Sequence, residues 1–327
     1  MPNFKDITII YHDRFLEHDT EGGEHPEIPQ RLNAIMNQLN KGPLKDSFDI
    51  LNPETASRDW LLKIHKDAYL MRFEEACLSG HQTLGHPDNR ICYDSFDIAM
   101  LAVGAGLTGI RAVESGKDVV FCAVRPPGHH AEAALPLGFC FLNNIAIAAR
   151  YWQEIFKRKK IAIIDWDAHH GNGIQSAFEE DPSVLYISIH EHPTFSFPGT
   201  GYSAEHGIGN GIGYTLNIPV SPGTKDDQVL ELLDGKARPA IESFEPDAII
   251  VAAGFDGHVM DDMSGLAYST KLYGNLGLIM DDWAKRLCSG RLLSILEGGY
   301  HLDALAASCE AYLAGLSITL DKEDNVN

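Results

Sequence analysis

Ile161–Gly173, IAIIDWDAHHGNG, joins two kinds of sequence. Its first residues are an unbroken apolar run closed by Asp165, and continuous rather than alternating hydrophobicity marks a strand buried on both faces of a parallel sheet. Directly after the run come Asp167, His169 and a glycine-bearing turn. The same layout recurs along the chain. DVVFCAV (118–124) leads to His129 and His130, VLYISIH (184–190) ends on His190, AIIVAAGFD (248–256) closes on Asp256, and LLSILEGGY (292–300) closes on Tyr300. Helix-like segments separate the runs, among them FLNNIAIAARYWQEIFKR (141–158) and DDQVLELLDGKARPAIESF (226–244), each long enough for a crossover. The fold class that follows is α/β: one three-layer α/β/α domain around a central, mostly parallel sheet. Ligands of open parallel sheets bind beyond the carboxyl ends of the strands, so these polar groups, His190 included, are expected to converge on one crevice.

Residues two apart in an extended segment point the same way, so Asp167 and His169 can face one cation, with Asp256 as a third ligand. Two carboxylates and one imidazole, without a thiolate, leave a coordination position open, as catalytic zinc requires. A D-x-H pair alone is better read as acids that cap helices or bind one another; the coincidence with the other polar strand ends reverses that in favour of a site. Beside such a cation, His129 and His130 offer a base for an attacking water and an acid for a leaving amine. Each ring needs a partner on its second nitrogen, for which Asp165 and Asn172 are the candidates. Tyr300, after Gly298 and Gly299, can donate a hydrogen bond to a developing oxyanion.

Forty-six acidic residues against 26 basic ones give the 327-residue chain a formal net charge of −20. That excludes the basic footprint that direct nucleic-acid binding needs and suits a cationic substrate. Six cysteines without a C-x-x-C pair suggest neither a thiolate zinc site nor a disulfide framework. The apolar run near the N-terminus is too short for a signal peptide, and no stretch is expected to span a membrane. The expectation is a cytoplasmic protein with one catalytic domain over residues 1–318 and a polar tail, TLDKEDNVN, at 319–327. The oligomeric state is left open.

RPPGHHAE (125–132), GFCFLNN (138–144), DWDAHHGNGIQ (165–175), FPGTG (197–201), AGFD (253–256), LEGGY (296–300) and EHPEIPQRL (24–32) together resemble the zinc-dependent histone deacetylase and acetylpolyamine amidohydrolase superfamily. The resemblance runs in order from about Glu24 to beyond Tyr300 and implies an arginase/deacetylase-like fold. It implies zinc, with Fe2+ or Co2+ as alternatives, on Asp167, His169 and Asp256, and His130 as general base and acid. It makes His129 an electrostatic partner held by Asp165, and Tyr300 the phenol that polarises the carbonyl. Asn172 stands where class I members carry an aspartate, which places the chain with class II and bacterial amidohydrolase-like members. Gly138, Phe139 and Phe197 match the walls of an acyl-lysine tunnel, Met263 its gate, and Asp88 the acid that grips substrate at the rim, with Asp94 as a rival. Arg31 matches an arginine near an internal product channel; a surface salt bridge is its other reading. A structural potassium ion is implied near Asp165, Asp167, His169 and Ser188, and a second monovalent site near Phe178, Asp181, Val184 and Tyr214.

The implied partner is an acylated lysine in a peptide or protein, with an acetylated polyamine as the alternative, and neither nucleic acid nor membrane. Two further readings are weighed against it. Arginase-type two-metal chemistry would need a ligand at Gly171, which has no side chain to supply one. A non-catalytic acyl-lysine binder would be free to lose any of the ligands, histidines or Tyr300, and the chain keeps them all.

Overall fold

Each of the five apolar runs is a strand in the computed structural model, which describes residues 4–20 and 25–318. Glu24 and the tail 319–327 lie outside the described residues. The elements in order are β1 (Ile7–Ile10), α1 (Gln30–Lys41), β2 (Phe48–Leu51), α2 (Arg58–Leu61), α3 (Asp67–Leu78), β3 (Thr83–Leu84), β4 (His86–Arg90), α4 (Ser95–Glu114) and β5 (Val119–Cys122). There follow α5 (Asn144–Phe156), β6 (Ile161–Asp165), α6 (Asn172–Phe178), β7 (Val184–Glu191), β8 (Thr215–Val220), α7 (Asp226–Leu232), α8 (Arg238–Phe244), β9 (Ala248–Ala253), α9 (Thr270–Cys288), β10 (Leu292–Leu296) and α10 (Leu302–Ser317).

Eight strands form one sheet in the order β2-β1-β5-β10-β9-β6-β7-β8, and every pairing in it is parallel. Every residue of β5, β6, β7, β9 and β10 is buried, as their unbroken hydrophobicity requires. Helices α1, α9 and α10 pack together on one face, and α4 and α5 on the other. The antiparallel pair β3-β4 stands apart from the sheet.

Three sheet strands carry no such run. β1, ITII, is interrupted by Thr8 and entered from the charged Lys5 and Asp6, β2 is an edge strand with three exposed residues, and β8 at the other edge contains Pro219. An edge is where a strand proline, which cannot donate to a ladder, is tolerated. Residues 226–244 are helical as expected, but a five-residue π-helical turn, Leu233–Ala237, separates α7 from α8. The expectation that no stretch is long enough to span a membrane needs correction. α4 is long and apolar enough by length and composition, yet 83% of that window is buried inside the protein, so it serves as a core helix.

The order of the sheet positions the site. β5, β10, β9 and β6 are consecutive neighbours and parallel, so the segments after them, bearing His129 and His130, Tyr300, Asp256, and Asp167 with His169, leave the same edge side by side. His190 does not join them. It lies inside β7, with Nδ1 at 2.7 Å from Ser188 Oγ and Nε2 at 2.9 Å from the Gly201 carbonyl. The reason is that β7 runs one residue past His190.

Candidate active site

Asp167, His169 and Asp256 are buried, and their ligand atoms lie within 4.8 Å of one another. His169 Nδ1 is 3.1 Å from Asp167 Oδ1 and 3.0 Å from Asp256 Oδ2. Its other nitrogen, Nε2, is 3.1 Å from the Met263 carbonyl, which can only accept, so Nε2 carries the proton. Two buried carboxylates on Nδ1 require a positive charge among them. Without an ion a proton on Nδ1 supplies it: burial alone would lower the His169 pKa, but Asp167 and Asp256 outweigh burial and raise it well above the usual histidine range. With an ion in place the neutral ring offers the Nδ1 lone pair instead. The donor set, two carboxylates and an imidazole, fits a zinc-type divalent ion. The second oxygen of each acid is already engaged, Asp256 Oδ1 by the Ala168 N–H and Asp167 Oδ2 by the Gly298 N–H, both at 2.8 Å. A Cβ at Gly298 would collide with both carboxylates, so this position is restricted to glycine.

His129 and His130 follow a turn tied to the end of β10. Glu297 Oε2 accepts the N–H groups of Gly128 (2.8 Å) and His129 (3.0 Å). The two imidazoles lie 4.0 Å apart between centroids, and their surroundings differ. His129 Nδ1 is 3.2 Å from Asp165 Oδ2. Burial alone would lower its pKa, but Asp167 and Asp165 outweigh burial and push it up to about 10. For His130, burial and then the charges on His129 and His169 hold the pKa well below the usual histidine range. One ring is kept charged and the other neutral.

The tautomer of His130 follows from Asn172. The Asn172 amide donates through Nδ2 to Glu132 Oε1 at 2.8 Å, which turns its Oδ1 toward His130 Nδ1, also at 2.8 Å. Nδ1 therefore carries the proton and Nε2 is the lone-pair nitrogen. Asp165 is fixed in turn by the Tyr186 hydroxyl (3.0 Å to Oδ2) and the Asp167 N–H (3.1 Å to Oδ1).

A pocket of about 270 Å³ descends on this cluster. Gly138, Phe139, Phe197 and Met263 wall it, His130, His169 and Tyr300 close its inner end, and His86 and Asp88 stand at its mouth. Gly138 has φ +53°, and a Cβ there would strike His130 Cδ2 and approach the Phe197 ring to 2.9 Å. The Phe139 and Tyr300 rings meet edge to face with centroids 5.8 Å apart, and Arg31 lies over the Tyr300 ring at 4.9 Å. Burial raises the Tyr300 phenol well above its ordinary pKa, keeping it a donor.

Two expectations are corrected here. Asp94 does not line the pocket; it precedes α4, half-exposed, 3.7 Å from Arg14, because the chain passes the mouth at β4 and has left it by residue 94. The surface reading of Arg31 is also excluded. It is fully buried, paired with Glu27 at 3.0 Å and donating to the carbonyls of Gly299 and Glu297. Of the residues matched to monovalent ions, Ser188 is the register partner of Asp165 across β6 and β7. Phe178, Asp181 and Val184 occupy the turn between α6 and β7, with Tyr214 bonded to Tyr186 beside it. The Asp181 carboxylate is already paired with Arg150 at 2.6 Å.

Sequence reasoning missed four acids and an arginine. Glu297 supports the histidine turn, and burial pushes its carboxyl up to about 7 against the opposing pull of His129. Glu132 orients Asn172, and Asp261 accepts from Tyr300 N at 2.6 Å. Glu27 binds Arg125 through both carboxylate oxygens beneath the site. Glu297 had a legible signal, an acid at the end of an apolar strand; the others had none.

A parallel sheet whose strand ends bring two carboxylates and an imidazole together beside a paired histidine dyad defines a metal-dependent amidohydrolase architecture. The histone deacetylase domain model matches residues 25–316, and the chain belongs to that family. It is similar to a probable deacetylase of Archaeoglobus fulgidus, 38% identical over 90% of this chain and 81% of the relative. It is also similar to a histone deacetylase-like amidohydrolase of Pseudomonas aeruginosa, 33% identical over 84% and 72%. The crystal structure of the HDA15 HD domain superposes with a TM-score of 0.89 at 32% identity, covering 95% of this chain and 88% of that one.

Proposed function

We propose that the chain hydrolyses the side-chain amide of an acylated lysine, in a peptide or protein, to a carboxylate and a free amine. The observation that carries this is the pocket, which Phe139 and Phe197 line together with His130, Tyr300 and His169, the last of them one of the three converging ligands. Such walls suit a methylene chain ending in a neutral amide. A divalent ion on Asp167, His169 and Asp256, zinc by preference with Fe2+ or Co2+ as alternatives, would polarise the acyl carbonyl and make a water more acidic.

The protein groups do the rest. His130 Nε2, an unprotonated acceptor, takes the proton of the attacking water and returns it to the leaving nitrogen as the C–N bond breaks. His129, kept cationic by its carboxylates, stabilises negative charge developing next to it. The Tyr300 hydroxyl donates to the carbonyl oxygen as that oxygen gains charge. Phe139 and Phe197 exclude water from the chain of the substrate, and Asp88 at the mouth accepts from its backbone. Arg31, stacked on the Tyr300 ring, is read as flanking the exit of the released acid. Potassium beside the Asp165–His169 segment and Ser188, and a second monovalent ion near Phe178, Asp181, Val184 and Tyr214, complete the reading. The six unpaired cysteines support a reducing, cytoplasmic setting.

Acetylated polyamines are the second reading. Met263, apolar at the gate, offers a distal ammonium no charge, so acetyl-lysine is preferred. The test is turnover by zinc-loaded protein on acetyl-lysine peptides, longer acyl-lysine peptides and acetylpolyamines. The highest kcat/KM is expected on an acyl-lysine peptide. Preference for the polyamine would move the protein to the second reading, and binding without turnover would make it an acyl-lysine reader.

A further inference from the structure

We propose that Asp261 is a positioning residue that clamps Tyr300 to the gate of the pocket, an inference that rests on the hydrolytic reading above. Tyr300 follows Gly298 and Gly299, the latter at φ +121°, and two glycines leave a backbone with more freedom than any other pair. A phenol that must meet one oxygen atom cannot be placed by such a segment unaided. Pins on the surrounding backbone supply the constraint. Asp167 holds Gly298 N, and Arg31 holds the Gly299 carbonyl. Asp261 holds the next two residues. Its Oδ2 accepts from Tyr300 N at 2.6 Å and from His301 N at 2.9 Å, while its Oδ1 accepts from Met263 N at 3.1 Å.

One carboxylate, 5% exposed, thus joins the Gly-Gly-Tyr segment after β10 to the loop after β9 that carries Met263. Hydrogen bonds to a carboxylate are among the strong ones, and three from two loops leave little freedom to either. His301 also caps α10, its Nδ1 accepting from Ala304 N at 3.3 Å, so the clamp is anchored to a helix on its far side. Asp261 acts through Tyr300 and Met263 and does not line the pocket itself.

The test is a double-mutant cycle. Asp261→Ala and Asp261→Asn are made in the wild-type and Tyr300→Phe backgrounds, with kcat and KM measured on an acetyl-lysine peptide and amide hydrogen exchange followed for residues 297–302. Misplacing a catalytic group by about 1 Å can cost on the order of a hundredfold. Asp261→Ala is therefore expected to lower kcat by roughly tenfold to a hundredfold with KM changed less than about threefold. Without the Tyr300 hydroxyl the same substitution is expected to cost less than about threefold, because its target is gone. Asp261→Asn, which keeps an oxygen acceptor, should recover most of the loss, and exchange at Tyr300 and His301 should quicken in Asp261→Ala. Equal losses in both backgrounds, or unchanged exchange, would overturn the clamp. Should Asp261→Ala fail to fold, Asp261→Ser, whose single short hydroxyl cannot span Tyr300 N, His301 N and Met263 N together, carries the same comparison, and a loss in kcat independent of the Tyr300 hydroxyl overturns the proposal. A wild type that hydrolyses no acyl amide overturns the proposed function instead, while exchange, which needs no turnover, still decides the clamp.

Discussion

Asn172→Asp replaces one nitrogen by oxygen at a site that sets the protonation of His130. The new carboxylate would face His130 Nδ1 from the 2.8 Å at which the amide oxygen now sits. At an effective dielectric constant of about 20 and a charge separation of about 4 Å, an imidazolium gains about 4 kcal/mol, or about three pKa units. Two costs reduce this. The carboxylate is buried, since Asn172 is 6% exposed. It also loses the N–H donated to Glu132 Oε1, leaving two acids face to face. A net rise of about one to two units is the expected outcome. The sign for activity follows from the role. His130 must be neutral to accept a proton, and in the wild type burial with its histidine neighbours holds its pKa below the ordinary 6.5. Raising that pKa means the base becomes available only at higher pH, so the acidic limb of kcat/KM should move up, with activity on the plateau changed less than about threefold. The assay is a profile of kcat/KM from about pH 5 to about pH 9 for both proteins. An acidic limb that stays put or moves down would show that it does not report His130, and the division of labour between the histidines would fall.

Gly138→Ala forces a Cβ against His130 and the Phe197 ring from a backbone at φ +53°; kcat/KM should fall on the order of a hundredfold or more, with Tm lowered by a few degrees by the strain, and wild-type kinetics would mean the wall is elsewhere. Asp256→Asn should lose most of the bound divalent ion by elemental analysis, and full activity in verified metal-free wild type would sink the proposed chemistry. Zinc at about a thousand times its Kd should stabilise the apoprotein by about 4 kcal/mol, raising Tm by several degrees; no shift would mean the three ligands do not hold it. Met263→Glu should raise the ratio of kcat/KM for acetylspermidine over an acetyl-lysine peptide by about tenfold at fixed ionic strength, and an unchanged ratio would remove residue 263 from the gate.

The sequence carried the central part of this molecule because burial on both faces writes itself as an unbroken apolar run. β5, β6, β7, β9 and β10 could be read that way. β2 and β8 could not, because edge strands meet solvent and lose the signal. The ligands and histidines were legible from their place after such strands, while His190 shows the limit of that rule, since one added residue of strand keeps a side chain inside the sheet. Asp88 and Asp94 were indistinguishable in sequence, and β4 separates them in space. Asp261, Glu132 and Glu27 act on backbone or on another side chain across many residues, and nothing in local pattern records a partner that distant.

The buried charges give the metal site a second role besides chemistry. Asp165, Asp167 and Asp256 are buried around two imidazoles whose pKa they raise against the pull of burial, His129 and His169, while His130 is held neutral. For His169 to offer its Nδ1 lone pair to a cation it must give up that extra proton, and three carboxylates then face the His129 imidazolium alone in a region closed to water. Uncompensated buried charge costs several kcal/mol per ion, so without a cation the cluster takes up protons. His169 is first, its pKa raised well above the usual histidine range as Asp167 and Asp256 outweigh burial, and then Asp256, pushed up to about 6 by burial and Asp167. Glu297, pushed up to about 7, can sit neutral and need not add another negative charge. A divalent cation closes the balance without any proton. The net charge of −20 is therefore a poor guide to this site: the exposed acids that dominate it are screened by salt within about 8 Å, whereas the buried carboxylates around His169 are what a bound cation would meet.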